Sequence, residues 1–137
     1  MRTIMFLPLA LTLATAGAAT ADKHGDYDAK LAAEHQAKID KALQGLHEVG
    51  QQSCINLHDA TDTVRAGDTI IYKAGGHTAY VNHTSGGCFG LDNGDAIITH
   101  TYSDRLCRGD IAHTVDLQVH IQSGSCSLGD FTVYRSK

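Results

Sequence analysis

The chain has 137 residues, 15 acidic against 11 basic side chains, a formal net charge of −4, nine histidines, four cysteines, one proline and no tryptophan. That length suits one domain with a modest core, and 42% apolar against 19% charged residues excludes a disordered chain. The acidic balance argues against a nucleic-acid partner, whose phosphates demand clustered Lys and Arg, and against a polybasic membrane anchor.

Residues 1–21 read as a signal peptide: Arg2 is a short positive start, Ile4 to Ala16 an apolar stretch, and Ala19-Thr20-Ala21 a small-residue cleavage site. The apolar run is shorter than the roughly 20 residues of a membrane span, and no later segment approaches it. The expectation is a periplasmic or secreted bacterial protein with no transmembrane segment after cleavage near Ala21.

Residues 22–52 form an N-terminal helical segment. Asp26 to Val49 is rich in Ala, Lys, Glu and Gln, residues that lose little entropy in a helix. Leu31, Ile39, Leu43, Leu46 and Val49 make a narrow apolar stripe. Asp26 or Asp28 is placed to cap the start and Gly50 to end it. So thin a stripe predicts a helix that must dock on the rest of the domain.

Residues 53–137 switch to Thr, Ile, Val, Tyr and Gly, a strand composition. The clearest strand is Ile111 to Gln122. Its odd positions (Ile111, His113, Val115, Leu117, Val119, Ile121) alternate with polar ones, which predicts one continuous strand with the odd face buried. Thr69–Lys73, Thr78–Asn82, Ala96–Tyr102 and Phe131–Arg135 are further candidates, with Cys54–Leu57 and Thr61–Arg65 weaker. Gly-Asp pairs at 67–68, 94–95, 109–110 and 129–130 precede strand starts and read as turns, and Gly75-Gly76 reads as a hairpin. Short strands without helical crossovers predict a mainly β fold: a small antiparallel barrel or sandwich with disulfides, preceded by one α-helix.

Cys54, Cys88, Cys107 and Cys126 contain no C-x-x-C pair, so neither a zinc knuckle nor a thioredoxin-type motif is present. An even count in a small exported domain predicts two structural disulfides. Three connectivities are open; the expected one joins Cys88 to Cys107 and Cys54 to Cys126.

These cysteines and their neighbours also carry a resemblance. Cys54-Ile55-x-Leu57, Thr69-Ile70-Ile71-Tyr72, Tyr80-x-Asn82, Cys88-x-Gly90-Leu91, Leu106-Cys107-x-x-Asp110-Ile111 and Gly124-x-Cys126-x-Leu128-Gly129-x-Phe131 follow in order. The series, over about Gln51 to Tyr134, resembles a family of small exported proteobacterial four-cysteine proteins classed as a domain of unknown function. The resemblance implies a secreted four-cysteine domain and brings no activity with it.

Histidines suggest metal, but there is no His-x-His or His-Glu-x-x-His. His77 and His83 share a face only along an uninterrupted strand, and His113 on an apolar face is expected to be a core histidine. His100 and Tyr102 either line a pocket or border the core. The serines lack a nucleophile elbow. Asp92-Asn93-Gly94-Asp95 has only part of a calcium loop, Arg108-Gly109-Asp110 reads as a turn, and Asn82-His83-Thr84 matches a glycosylation acceptor. No catalytic, cofactor-binding or metal residue is assigned, and no cofactor is expected. The leading expectation is a non-enzymatic module binding a small ligand, an envelope component or a protein. The alternatives are a small hydrolase or isomerase using His and Asp from separate strands, and a histidine-based metal-binding protein.

Overall fold

The structure, a computed structural model, describes residues 23–101 and 103–137. The signal segment 1–21 and Tyr102 lie outside the described residues. The fold is mainly β and sandwich-like, with one helix, and no barrel closes.

The helix α1 covers Lys23–Ala42, seven residues short of the predicted end at Val49. Gly45, at φ +79°, turns the chain where Gly50 was expected to, and β1 (His47–Gln52) follows. Val49 therefore sits on an edge strand and is exposed. Next come β2 (Cys54–Asn56), a 3-10 turn (Leu57–Asp59), β3 (Asp62–Ala66), β4 (Thr69–Ala74) and β5 (Thr78–His83). They are followed by β6 (Ser85–Gly87), β7 (Ala96–Thr99), β8 (Arg105–Cys107), β9 (Ile111–Asp116), β10 (Ile121–Ser127) and β11 (Phe131–Arg135).

Every pairing is antiparallel. The large sheet runs β1-β11-β5-β4-β3, the smaller one β6-β10-β9-β7, and β2-β8 forms a separate ribbon. The large sheet is covered on both faces. On one, Ile71, Ala79 and Val81 pack with Ala42, Ile39 and Leu43 around α1. On the other, Ile70, Tyr72 and Phe131 meet Ile55, Leu106, Ala112 and Leu128 from the ribbon and the smaller sheet. This explains the unbroken apolar run Thr69-Ile70-Ile71-Tyr72, because a strand buried on both faces has no wet side to alternate with.

Two expectations are overturned here. The stretch 111–122 is a hairpin, β9 and β10 folding at 117–120, where His120 takes φ +55°. Its faces are also inverted: Ala112 and Thr114 are fully buried, while Ile111 is 46%, Leu117 62%, Val119 59% and Ile121 63% exposed. Where β9 faces β10, the inner face of the smaller sheet has room only for small side chains. Cys126, opposite Ala112, carries a disulfide, and a Cβ on Gly124, opposite Thr114, would lie 2.3 Å from the Gly87 carbonyl.

The second correction concerns the cysteines. All four are bridged, but the pairs are Cys54–Cys107 and Cys88–Cys126, not Cys88–Cys107 and Cys54–Cys126. Cys54 and Cys107 stand directly opposite one another in the β2–β8 ribbon. Cys88 follows β6, which pairs with β10 and so brings it beside Cys126. Cys88 and Cys107 are kept apart because the strands between and after them, β7 and β8, pair with β9 and β2 rather than with each other.

Candidate functional site: the cleft between the sheets

The two main sheets part company along one side. β3 is an edge of the large sheet and β7 an edge of the smaller one, and no ladder joins them. The gap is a cleft of about 470 Å³, within the range of roughly 300–1,000 Å³ typical of small-ligand sites. Leu57, Ile97 and Leu106 give it an apolar wall, and Thr61, Thr63 and Thr99 give hydroxyls.

Two side chains give the cleft its character. Thr63 pairs with Tyr72 and Arg65 with Ile70, so period-two alternation points these four toward the core side of the sheet. Val64 points the other way, toward α1. Arg65 is half-buried and its Nη1 donates to the main-chain carbonyl of Asp95 just before β7, a single polar stitch across the gap. Among the described residues no carboxylate lies within ion-pair distance of its guanidinium. Tyr72 is 6% exposed, and its hydroxyl, sealed from solvent, has no hydrogen-bond partner among the described residues. Burial pushes its pKa up to about 12. Asp62 stands at the rim, its carboxylate accepting from the Thr63 amide at 2.8 Å.

Asp95 is the hinge of the site. Its carboxylate is buried and accepts from Ser123 Oγ, which lies 3.0 Å from Thr114 Oγ1. A bulge between Gln122 and Gly124 aims Ser123 at it; bulges re-aim side chains in this way. Gly90 is required beneath, since a Cβ there would overlap the Asp95 carboxylate at 1.9 Å. The chain Thr114–Ser123–Asp95 fixes the loop whose carbonyl holds Arg65.

The histidines singled out by sequence do not gather. His77 shares a hydrogen bond with Ser136 (3.1 Å) and His83 with Thr69 (3.0 Å), at opposite ends of β5. His113 is not a core residue: it lies on the outer face of the smaller sheet, edge-on to His100 at 6.2 Å between centroids, with Nδ1 unpartnered among the described residues. No histidine lines the cleft. Among the described residues no three His, Cys, Asp or Glu converge on a metal position, and no helix is long and apolar enough to cross a membrane.

The His–Asp contact that does form is one sequence reasoning missed. His35 Nε2 lies 2.8 Å from Asp92 Oδ1, which accepts the Gly67 amide at 2.9 Å. The approach is poorly aligned for a hydrogen bond, so the contact is an ion pair when the ring is protonated. Its place explains its role: His35 lies in the helical stripe between Leu31 and Ile39 and seats α1 on the β3–β4 turn. Of the other motifs, Asn82 is fully buried, donating to the Gly129 carbonyl and accepting its amide, so it is a structural clamp rather than a glycan acceptor. Arg108 pairs with Asp130 at 3.1 Å, and Asp110 accepts the Cys107 amide, which is turn chemistry.

Arg65 and Tyr72 were not candidates at the sequence level. The available signal was a lone Arg alternating with Thr63 across Val64, a strand pattern with one charge on an otherwise inward face. Comparison with protein-family models, curated proteins and solved structures yields no match for this chain.

Proposed function

We propose that this chain is a non-enzymatic binding module of the bacterial periplasm or exterior, and that its ligand is a small molecule held in the β3–β7 cleft. The observation that carries this reading is the cleft itself, about 470 Å³ left open between the unpaired edges of β3 and β7, with an apolar wall and threonine hydroxyls. The two disulfides are in keeping with an oxidising compartment. The signal segment at 1–21 and the resemblance to exported four-cysteine proteins belong to the same reading. The alternative, a hydrolase or isomerase using His and Asp from separate strands, is less well supported, because among the described residues His77, His100 and His113 form no ion pair with a carboxylate.

A fragment library screened by amide chemical-shift mapping on the disulfide-bonded protein tests it. Hits are expected to cluster their shifts on Thr63, Arg65, Ile97 and Thr99. Hits confined to the outer face of the smaller sheet would sink the proposal in favour of an envelope or protein contact there.

A further inference from the structure

Arg65 is a half-buried cation that has one neutral acceptor, the Asp95 carbonyl, and no carboxylate within ion-pair distance among the described residues. Taking a guanidinium partly out of water without an anion is unfavourable. Only Nη1 is committed, so the remaining N–H groups of the fork are free, and that geometry matches a carboxylate through two parallel bonds. Beyond it the wall is apolar, formed by Leu57, Ile97 and Leu106. The Asp62 carboxylate at the rim and the net charge of −4 both disfavour a ligand with a second negative charge.

We infer that the cleft takes a small monocarboxylic acid with an apolar body, its carboxylate on the free edge of Arg65 and its hydrocarbon against Leu57, Ile97 and Leu106. The inference rests on the cleft being the binding site, and it adds the charge and shape of the ligand. The free acid site is held open by the Arg65–Asp95 stitch, which positions the guanidinium before any ligand arrives. That preorganisation lowers the ordering cost of binding.

The probes are benzoate, the isosteric uncharged benzamide, and phenyl phosphate, each titrated into the disulfide-bonded protein while amide and Arg65 Nε–H shifts are followed. Benzoate is expected to saturate the cleft resonances, with benzamide and phenyl phosphate each at least tenfold weaker. Arg65→Gln is expected to lower benzoate affinity at least tenfold. Arg65→Lys, which keeps the charge but not the fork, should lose less, and a dispersed amide spectrum shows that each variant is folded. Equal binding of benzoate and benzamide in the cleft, or benzoate affinity unchanged in Arg65→Gln, overturns the carboxylate inference and leaves the cleft reading standing. Tighter binding of phenyl phosphate overturns it in favour of a dianion. Shifts from no probe at the cleft, when the fragment screen finds hits there, also overturn it; no hits in either experiment remove the cleft reading itself.

Discussion

Tyr72 carries an unpaired polar atom into the core beside the cleft. Its ring packs on Phe131, with centroids 6.0 Å apart, while its hydroxyl finds nothing. Tyr72→Phe keeps the packing and deletes the orphan, so at neutral pH the variant is expected to be as stable as the parent or up to about 1–3 kcal/mol more stable. The pKa of about 12 adds a second signature. Because the fold favours the neutral phenol, its share of stability is intact below pH 10 and is lost as pH rises from 10 through 12. The parent should therefore lose about 2–3 kcal/mol more than Tyr72→Phe across that window. Urea melts at pH 7, 10 and 12 measure both effects; parallel losses in the two proteins would show that the phenol titrates freely in the native state.

Among the elements, the β9–β10 hairpin teaches most about what a sequence pattern contains. Alternation in 111–121 announces a two-faced strand, which holds only over β9, 111–116; the pattern itself runs on through the turn into β10. It does not say which face is inward, because that depends on what the opposite layer leaves free. Here the Cys88–Cys126 bridge and the close Gly124 backbone occupy the interior, so Ala112 and Thr114 face in and the large aliphatics face out. Ile111→Thr is accordingly expected to change stability by less than about 0.5 kcal/mol. Ala112→Val should cost about 1–3 kcal/mol by overpacking, and denaturant melts that reverse this order would restore the pattern-based register. By contrast β4, β5 and β11 were legible nearly to the residue, since β-branched and aromatic runs bounded by Gly-Asp or Gly-Gly leave little ambiguity. β1 was not legible: His47–Gln52 has no strand composition and is held by pairing with β11, a tertiary effect that overrides local propensity.

The seating of α1 is a second test at this scale. Gly67 has φ +59°, and a Cβ there would meet the His35 ring at 2.9 Å. Gly67→Ala is expected to carry the left-handed backbone cost of about 1–2 kcal/mol plus a steric share. Gly45, at φ +79° with open space around it, supplies the control in which only the backbone cost appears. In a His35→Ala background the steric share should vanish, giving a coupling of at least about 0.5 kcal/mol. Strict additivity of the two substitutions would mean that the helix is not seated there.

At the level of the whole molecule the arrangement is a helix on a five-stranded sheet on a four-stranded sheet, and the site exists because β3 and β7 do not pair. The sandwich was foreseeable; the open seam was not, since sequence patterns describe strands and say nothing of which edges stay apart. Arg65 could be recognised as unusual, but its isolation from every carboxylate in reach depends on that seam.

The two bridges, Cys54–Cys107 and Cys88–Cys126, interleave along the chain, and this gives the molecule a covalent topology with a practical consequence. A single cut anywhere between Cys54 and Cys126 separates no fragment. Before Cys88, the 54–107 link spans the break; after Cys107, the 88–126 link does; between Cys88 and Cys107 both do. That doubly secured stretch includes the Phe89–Asp95 loop and β7, the wall of the cleft that Arg65 leans on. A protease-nicked chain should therefore migrate as one species on a non-reducing gel and as two on a reducing gel. A severed backbone can still be an assembled molecule as long as both bridges stay oxidised.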